Sequence, residues 1–414
     1  MSERNWAGNV TYRAREILRP ASVEELAVIF AREPRVRVLG SRHSFTGIAD
    51  TDGVLVSLAA MPGEVEVDAA AGLVRVPAGW RHGELVPALD AAGLALANLA
   101  SLPHISVAGA VQTGTHGSGD RIGALGTQVA AVELVTASGE ALVLRRGDDD
   151  FAGAVVGLGA LGVVTHLTLE VEPTYQVAQT VYEGARWDDV LARFDAVTGA
   201  GDSVSMFTTW QDADTIGQVW VKARPGRADH DVLRALGAVP ADGPRHPLPG
   251  IDPTPCTVQG GEQGPWYARL PHFRLEFTPS AGDELQSEYL VARADAREAI
   301  EALRGLAPQL APVLQVCEVR TMAADDLWMS PAYGRDTVAL HFTWMLDPDA
   351  VGALLPRIEE ALPESARPHW GKLFAMDSAT LARRYPRWDD FTALRDRLDP
   401  DRRFTNDYLI ALGL

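Results

Sequence analysis

Two lysines stand out among the residues able to do chemistry. Of the 37 basic residues in this 414-residue chain, 35 are arginine, and the only lysines are Lys222 and Lys372. A guanidinium does not deprotonate in proteins, whereas an ammonium can, so lysine in an arginine-rich chain marks places for a compact, titratable amine. Genomic base composition produces the same bias, so context has to decide. Lys372 lies in Ala366-Arg-Pro-His369-Trp370-Gly371-Lys372-Leu-Phe374, an aromatic, glycine-broken segment, and is the better catalytic candidate. Lys222 lies in the alternating run Gln218-Val-Trp-Val-Lys222-Ala-Arg224, where an outward-facing surface charge is the natural expectation.

Polar side chains also gather at two-residue spacing in two runs that read as strands. Glu318 and Arg320 share one face; His341 and Thr343 share a face with Thr337 and Ala339, while Val338, Leu340, Phe342 and Trp344 take the other. A carboxylate, guanidinium, imidazole and hydroxyl on a sheet face suit a pocket for a hydroxylated ligand. A solvated face with surface ion pairs is an equal alternative for Glu318 and Arg320 taken alone.

The remaining candidates are anion-binding. Arg35-Val36-Arg37-Val38-Leu39 alternates as a half-buried strand does, and Gly40-Ser41 break it into a turn that carries Arg42, His43 and Ser44. Such a turn offers backbone N–H groups, and Gly40 permits close approach of a ligand. Further on, Ser106 can cap a short helix over residues 107–112, and Thr113, Gly114, Thr115, Gly117 and Gly119 follow within seven residues. A helix start beside a Gly/Thr/Ser run suits a diphosphate. Gly157-x-Gly159-x-x-Gly162 matches a dinucleotide-binding string, but that motif needs a strand before it and a helix after it. Here a short helix over 148–155 precedes and a strand over 163–171 follows, so the Rossmann reading is rejected.

The elements that must position these residues form a mixed α+β pattern. Ser22 starts a helix, alternating runs lie at 53–58, 64–68 and 73–76, an amphipathic helix covers 82–91, and a hairpin covers 129–145. Past Pro173 the strands lengthen: 204–210, 218–224, 284–291, 313–321 and 338–345, with a helix at 349–362. A second domain therefore begins near residue 174. Residues 237–265 are rich in proline and glycine, a loop long enough to be a functional cover or an excursion across the surface.

Composition excludes several partners. A net charge of −18 repels nucleic acid and anionic membranes. The N-terminal Met1-Ser2-Glu3-Arg4-Asn5-Trp6 lacks an apolar signal core, and the longest nearly apolar run, 155–164, is too short to span a bilayer. A cytoplasmic protein free of membranes, and a monomer, is expected. Cys256 and Cys317 stand in no paired or metal-ligand spacing, so neither a disulfide nor a metal site is expected.

The ordered set Gly40-Ser-Arg-His-Ser44, Leu102-Pro-His-Ile-Ser-Val-Ala-Gly109, Thr113-Gly-Thr-His-Gly117, Gly159-Ala-Leu-Gly-Val-Val164, Glu318-x-Arg320, His341-Phe-Thr343 and His369-Trp-Gly-Lys372 resembles the vanillyl-alcohol-oxidase type of FAD enzymes, and within it the alditol oxidases. The resemblance implies a two-domain α+β fold: an FAD-binding domain over 1–174, completed by about 366–414, and a substrate domain over 175–365. It implies that Val38, Leu39, Gly40, Ser41, Arg42, His43, Ser44, Ser106, Gly109, Thr113, Gly114, Thr115, His116 and Val164 hold FAD. His43 occupies the place of the family's flavin-linking histidine, and the segment 101–109 lacks the cysteine of doubly linked relatives, so one covalent bond is implied. Ser101, Glu318, Arg320, His341, Thr343 and Lys372 would surround the substrate, with Lys372 and Arg320 catalytic. The small Ala100 matches the position that governs oxygen access beside the flavin.

The implied activity is oxidation of the terminal hydroxyl of xylitol or sorbitol to the aldose, with O2 reduced to H2O2. Such chemistry needs a basic group and a cationic stabiliser at the reacting hydroxyl, and hydrogen-bond partners for its neighbours. Two alternatives stand beside it: a sugar-1,4-lactone oxidase or dehydrogenase of the same superfamily, and a non-catalytic phosphate- or sugar-binding protein.

Overall fold

Local signals set the first elements of the computed structural model, which describes residues 3–277 and 283–414. Met1 and Ser2, part of the N-terminal stretch read above, lie outside the described residues. The Ser22 hydroxyl accepts the Glu25 N–H at 3.3 Å and starts the helix Val23–Arg32, with Glu24 and Glu25 at its positive end and Arg32 at its negative end. Leu26 and Phe30, one turn apart, are its buried pair. The helix feeds the strand Val36–Val38, which lies in a small parallel sheet in the order Ile17–Leu18, Val54–Val56, Val36–Val38. Beside it stands an antiparallel sheet in the order Glu66–Asp68, Leu73–Pro77, Val163–Glu170, Val129–Val135, Ala141–Arg145. The predicted hairpin and the helix His82–Ala91 are present.

The C-terminal tail closes this first layer. Val36 N–H donates to the Arg403 carbonyl at 2.9 Å, and Asn406 Nδ2 donates to the carbonyls of Gly47 at 2.9 Å and Asp50 at 2.6 Å. The buried Arg37 guanidinium donates to the carbonyls of Gly159, Leu158, Ile48 and Phe404, so one side chain ties the first strand, the glycine string and the tail together.

The second layer is a larger antiparallel sheet. Its order is Val239–Pro240, Gln176–Glu183, Gln218–Ala223, Ser203–Thr208, Leu314–Met322, Thr337–Met345, Glu284–Ala292, Arg367–Pro368. Val338, Leu340, Phe342 and Trp344 join Leu303 of the helix Ala296–Leu310 and Leu354 of the helix Pro348–Ala361 in one apolar cluster. The opposite sheet face, which carries Glu318, Arg320, His341 and Thr343, is polar and also buried. The alternative reading of Glu318 and Arg320 as surface ion pairs therefore does not hold. Cys256 and Cys317 are free and buried. Among the described residues no group of metal-ligating side chains could hold an ion, and no helix is long and apolar enough to cross a membrane.

Candidate active site

A cavity of about 870 Å³ lies between the two layers. The first layer lines it with Val38, Leu39, Gly40, Ser41, Arg42, His43, Ser44, Ser106, Gly109, Thr113, Thr115, His116 and Val164. The substrate candidates Ser101, Glu318, Arg320, His341, Thr343 and Lys372, and the small Ala100, line it too. Of the residues expected here, only Gly114 is off the lining: it turns the chain at φ +69° against Pro331. The segment from Pro77 to Arg81 also lines the cavity, with no motif in the sequence to announce it.

The residues fit FAD on three observations. A Cβ on Gly40 would stand 2.8 Å from Ser106 Oγ, and one on Gly109 would stand 2.5 Å from the same atom, so these two backbones pack closer to Ser106 than any side chain would permit. His43 stacks on Trp6 with ring centroids 5.6 Å apart, and its Nδ1 is buried with no partner among the described residues. Burial pushes the His43 imidazole down to about 4, so it is neutral at physiological pH. Thirdly, the cavity runs from the His43 turn past the short helix Val107–Gln112 to the strand Val163–Glu170, a span that suits a dinucleotide. One expected detail is corrected: the Ser106 side chain does not cap that helix. Its backbone N–H instead donates to Ser41 Oγ at 3.0 Å, which pins the His43 turn to the helix start.

On the second layer the strand registers assemble a transverse row. Phe207 pairs with Glu318, Glu318 with His341, and His341 with Glu288, so four neighbouring strands each put one side chain on the same line. Glu288 was not foreseen, although Glu284, Gln286 and Glu288 alternate with Leu285 and Tyr289 just as Glu318 and Arg320 do in their strand. It is the hub of the site. Its carboxylate accepts from Arg320 Nη2 at 2.6 Å and Lys372 Nζ at 2.6 Å, and His116 Nε2 lies 3.3 Å away. His116, expected at the cofactor, is thus turned toward Glu288 as well. Lys372 Nζ also donates to His341 Nδ1 at 2.8 Å, which leaves Nε2–H of His341 to donate to Thr343 Oγ1 at 3.2 Å.

Burial and charge oppose each other throughout this cluster. Burial alone would raise the Glu288 carboxyl, but the Lys372 ammonium and Arg320 guanidinium hold it well below the usual carboxylate range. Burial lowers the Lys372 ammonium, and Glu288 only partly restores it. The His341 ring, buried beside that ammonium, falls to about 3 and stays neutral.

Lys222 departs from expectation. It is buried, 1% exposed, not an outward-facing charge. Gln218, Trp220 and Lys222 share a strand face, and a tryptophan beside the lysine was the signal that this face is covered. The cover is the chain that follows the long proline- and glycine-rich loop and carries His272 and Phe273. The loop itself lines the cavity through His246, Pro247 and Leu248.

A two-layer α+β fold with an FAD-fitting cavity and a buried polar sheet face defines an FAD-dependent oxidoreductase. Residues 14–145 match the FAD binding domain family, and residues 283–412 match D-arabinono-1,4-lactone oxidase. The chain belongs to the vanillyl-alcohol-oxidase-type family of FAD enzymes that contains the alditol oxidases and their lactone-oxidising relatives. An alditol oxidase from a Streptomyces species is 51% identical over 409 residues, covering 98% of this chain and 97% of its own length. An L-gulono-1,4-lactone dehydrogenase of Mycobacterium tuberculosis is 33% identical, covering 98% and 97%. An L-gulonolactone oxidase of Bos taurus is 27% identical, covering 98% and 96%. The solved structure of a solvent-stable cholesterol oxidase superposes with a TM-score of 0.77 at 15% identity, over 100% of this chain and 97% of that one, a likeness of fold alone.

Proposed function

We propose that this protein oxidises the terminal hydroxyl of alditols, xylitol or sorbitol, to the aldose, with O2 as acceptor and H2O2 as product. The observation that carries this reading is the buried polar row of Glu318, His341 and Glu288 with Arg320, Thr343 and Lys372 around it. It offers more hydrogen-bond partners than one reacting carbon needs, and a chain of hydroxyls would satisfy them. The FAD-holding residues are those named above, over a division at 1–174, 175–365 and a completing tail from about 366. FAD, when bound, supplies the hydride acceptor.

The residues of the chain do the rest. Arg320 places a cation beside the hydroxyl that reacts and stabilises the negative charge growing on its oxygen. Lys372, its pKa lowered by burial, is positioned to take the hydroxyl proton at Nζ once it has shed its own. Glu288 holds both cations in place. Glu318, Thr343 and Ser101 bind the neighbouring hydroxyls.

His43 is proposed to carry FAD through one covalent bond; its unpartnered buried Nδ1 and the absence of cysteine from 101–109 support this. Acid-precipitated protein should stay yellow after washing, and His43→Ala should release its flavin to the supernatant. Colour retained by that variant places the link elsewhere.

Peroxide release from a panel of xylitol, sorbitol, glycerol, simple alcohols and sugar-1,4-lactones tests the substrate. Each hydroxyl missing from the substrate leaves a buried polar group unpaired and should cost roughly 10-fold in kcat/KM, so xylitol and sorbitol should lead and ethanol should trail. The match of residues 283–412 to a lactone oxidase favours the second reading, and a lactone as best substrate would establish it. A colourless protein that takes up no FAD would instead favour a binding protein. The proposal takes the enzyme as a cytoplasmic monomer whose partners are the polyol and O2, which sedimentation and cell fractionation test.

A further inference from the structure

The second lysine of the chain reaches the substrate region by a different route. Lys222 Nζ has three acceptors around it: the Leu270 carbonyl at 2.6 Å, the Pro271 carbonyl at 3.1 Å and His272 Nδ1 at 3.0 Å. No carboxylate touches it among the described residues. An ammonium has three donors and no lone pair, so the third interaction makes Nδ1 of His272 an acceptor and leaves the ring proton on Nε2. That Nε2 lies 2.8 Å from Glu318 Oε1. Should the shared proton sit on His272 instead, the imidazolium presents the same Nε2–H to Glu318. In both arrangements one positive charge stands behind Glu318, and Oε1 is committed to the protein. Among the described residues Glu318 Oε2 meets only Arg320 Nε, at 3.6 Å, and is left to accept from a ligand.

Lysine is required here by shape. Three acceptors converge on one point, which suits a compact ammonium; the flat five-donor fork of arginine would overshoot them. In a chain with arginine at nearly every other basic position, this is a reason for the exception. The loop backbone is tied to the same place, since His272 N–H donates to the Ser101 carbonyl at 3.1 Å.

We propose that Lys222 is a positioning residue for substrate specificity: through His272 it keeps Glu318 ionised and aimed, so that Glu318 Oε2 accepts a hydrogen bond from a non-reacting hydroxyl of the polyol. The proposal rests on the polyol reading above, in which Glu318 touches substrate. Burial lowers Lys222 to about 7, so the ammonium that fixes the His272 tautomer is fully present only below that pH, and His272, lowered to about 4, stays neutral; Glu318, which burial alone would raise, is held below the usual carboxylate range by Arg320 and His272.

A double-mutant cycle on the FAD-loaded protein tests this, read as anaerobic flavin bleaching by xylitol and by 1-butanol, since single-turnover bleaching registers even slow substrates. Lys222→Met should lower the xylitol-to-butanol ratio of limiting reduction rate over Kd about 10-fold, mainly through Kd. Glu318→Gln should lower the same ratio, and the double variant should lose little beyond Glu318→Gln alone. His272→Gln keeps an Nε2–H donor toward Glu318 and an acceptor toward Lys222, so it should retain most of the ratio that His272→Leu loses. That comparison decides the matter even if Lys222→Met fails to fold. Equal losses on both alcohols, additive losses in the double variant, or no rescue by His272→Gln overturn the relay. If Glu318→Gln itself leaves the ratio intact, the polyol reading falls and takes the relay with it; if only Lys222→Met and His272→Leu leave it intact, the relay alone falls.

Discussion

Lys372 and Arg320 share one carboxylate, Glu288, so each cation is held by the charge that also holds the other. Truncating Lys372 leaves Arg320 in place and removes the proposed proton acceptor. Lys372→Met should bind FAD as the parent protein does, yet be reduced by xylitol at least ~10²-fold more slowly, the low end for losing an acid/base group. Stopped-flow reduction checks this, and near-parental rates would take Lys372 out of the mechanism. The pH dependence has a definite sign. Burial lowers the Lys372 ammonium, so the reduction rate should rise with pH as Nζ loses its proton, and Lys372→Met should abolish the rise. Glu288→Gln removes the charge both cations face; it should lower the reduction rate more than it changes FAD content, since Glu288 pairs with Arg320 and Lys372 rather than with the His43 turn.

At the scale of elements, the turn after the short helix Val107–Gln112 works by close approach. A Cβ on Gly117 would stand 2.6 Å from the Leu99 carbonyl oxygen and would collide with the Asn98 side chain. Gly117→Ala should therefore shift the segment 98–101, which carries Ala100 and Ser101, and destabilise the protein by about 1–3 kcal/mol. Thermal unfolding measures the loss; an unchanged midpoint would show that the segment yields freely. Much of this level was readable from alternation alone. Glu318, Arg320, His341 and Thr343 fall on one face because the strand period is two, and the hairpin and the helix–turn–strand order around Gly157, Gly159 and Gly162 carry local signals. Glu288 was missed, and Lys222 read as outward-facing, for a tertiary reason. A polar residue on a strand reads as solvent-facing unless something covers that face, and the cover is set by the first layer at Glu288 and by a distant loop at Lys222. The strand Gln176–Glu183 was likewise not resolved as a separate element, because its Gln, Thr and Tyr weaken the apolar alternation.

For the molecule as a whole, burying neutral histidines between two layers makes stability depend on pH. His82 and His272 are lowered to about 4 and His341 to about 3, in each case first by burial. Between these values and the ordinary histidine pKa of about 6.5 the unfolded chain binds more protons than the folded one, so stability falls as pH drops through that window, by about 1.4 kcal/mol per pH unit for each such histidine. Asp325, raised to about 6 by burial, opposes one of them. Denaturant unfolding at a series of pH values across the window should show this slope, and a flat stability there would contradict the buried neutral rings.

The two-layer arrangement sets a buried polar sheet face across a cavity from the proposed flavin site, and the substrate that this face selects is the central claim. Anaerobic mixing of the purified protein with xylitol or with a sugar-1,4-lactone, followed by loss of the yellow flavin absorbance, tests it most directly. Xylitol is expected to bleach the flavin faster than the lactone, to do so more slowly when deuterated at its terminal carbons, and to yield the aldose. Faster bleaching by the lactone, or bleaching by xylitol with no aldose formed, would contradict it.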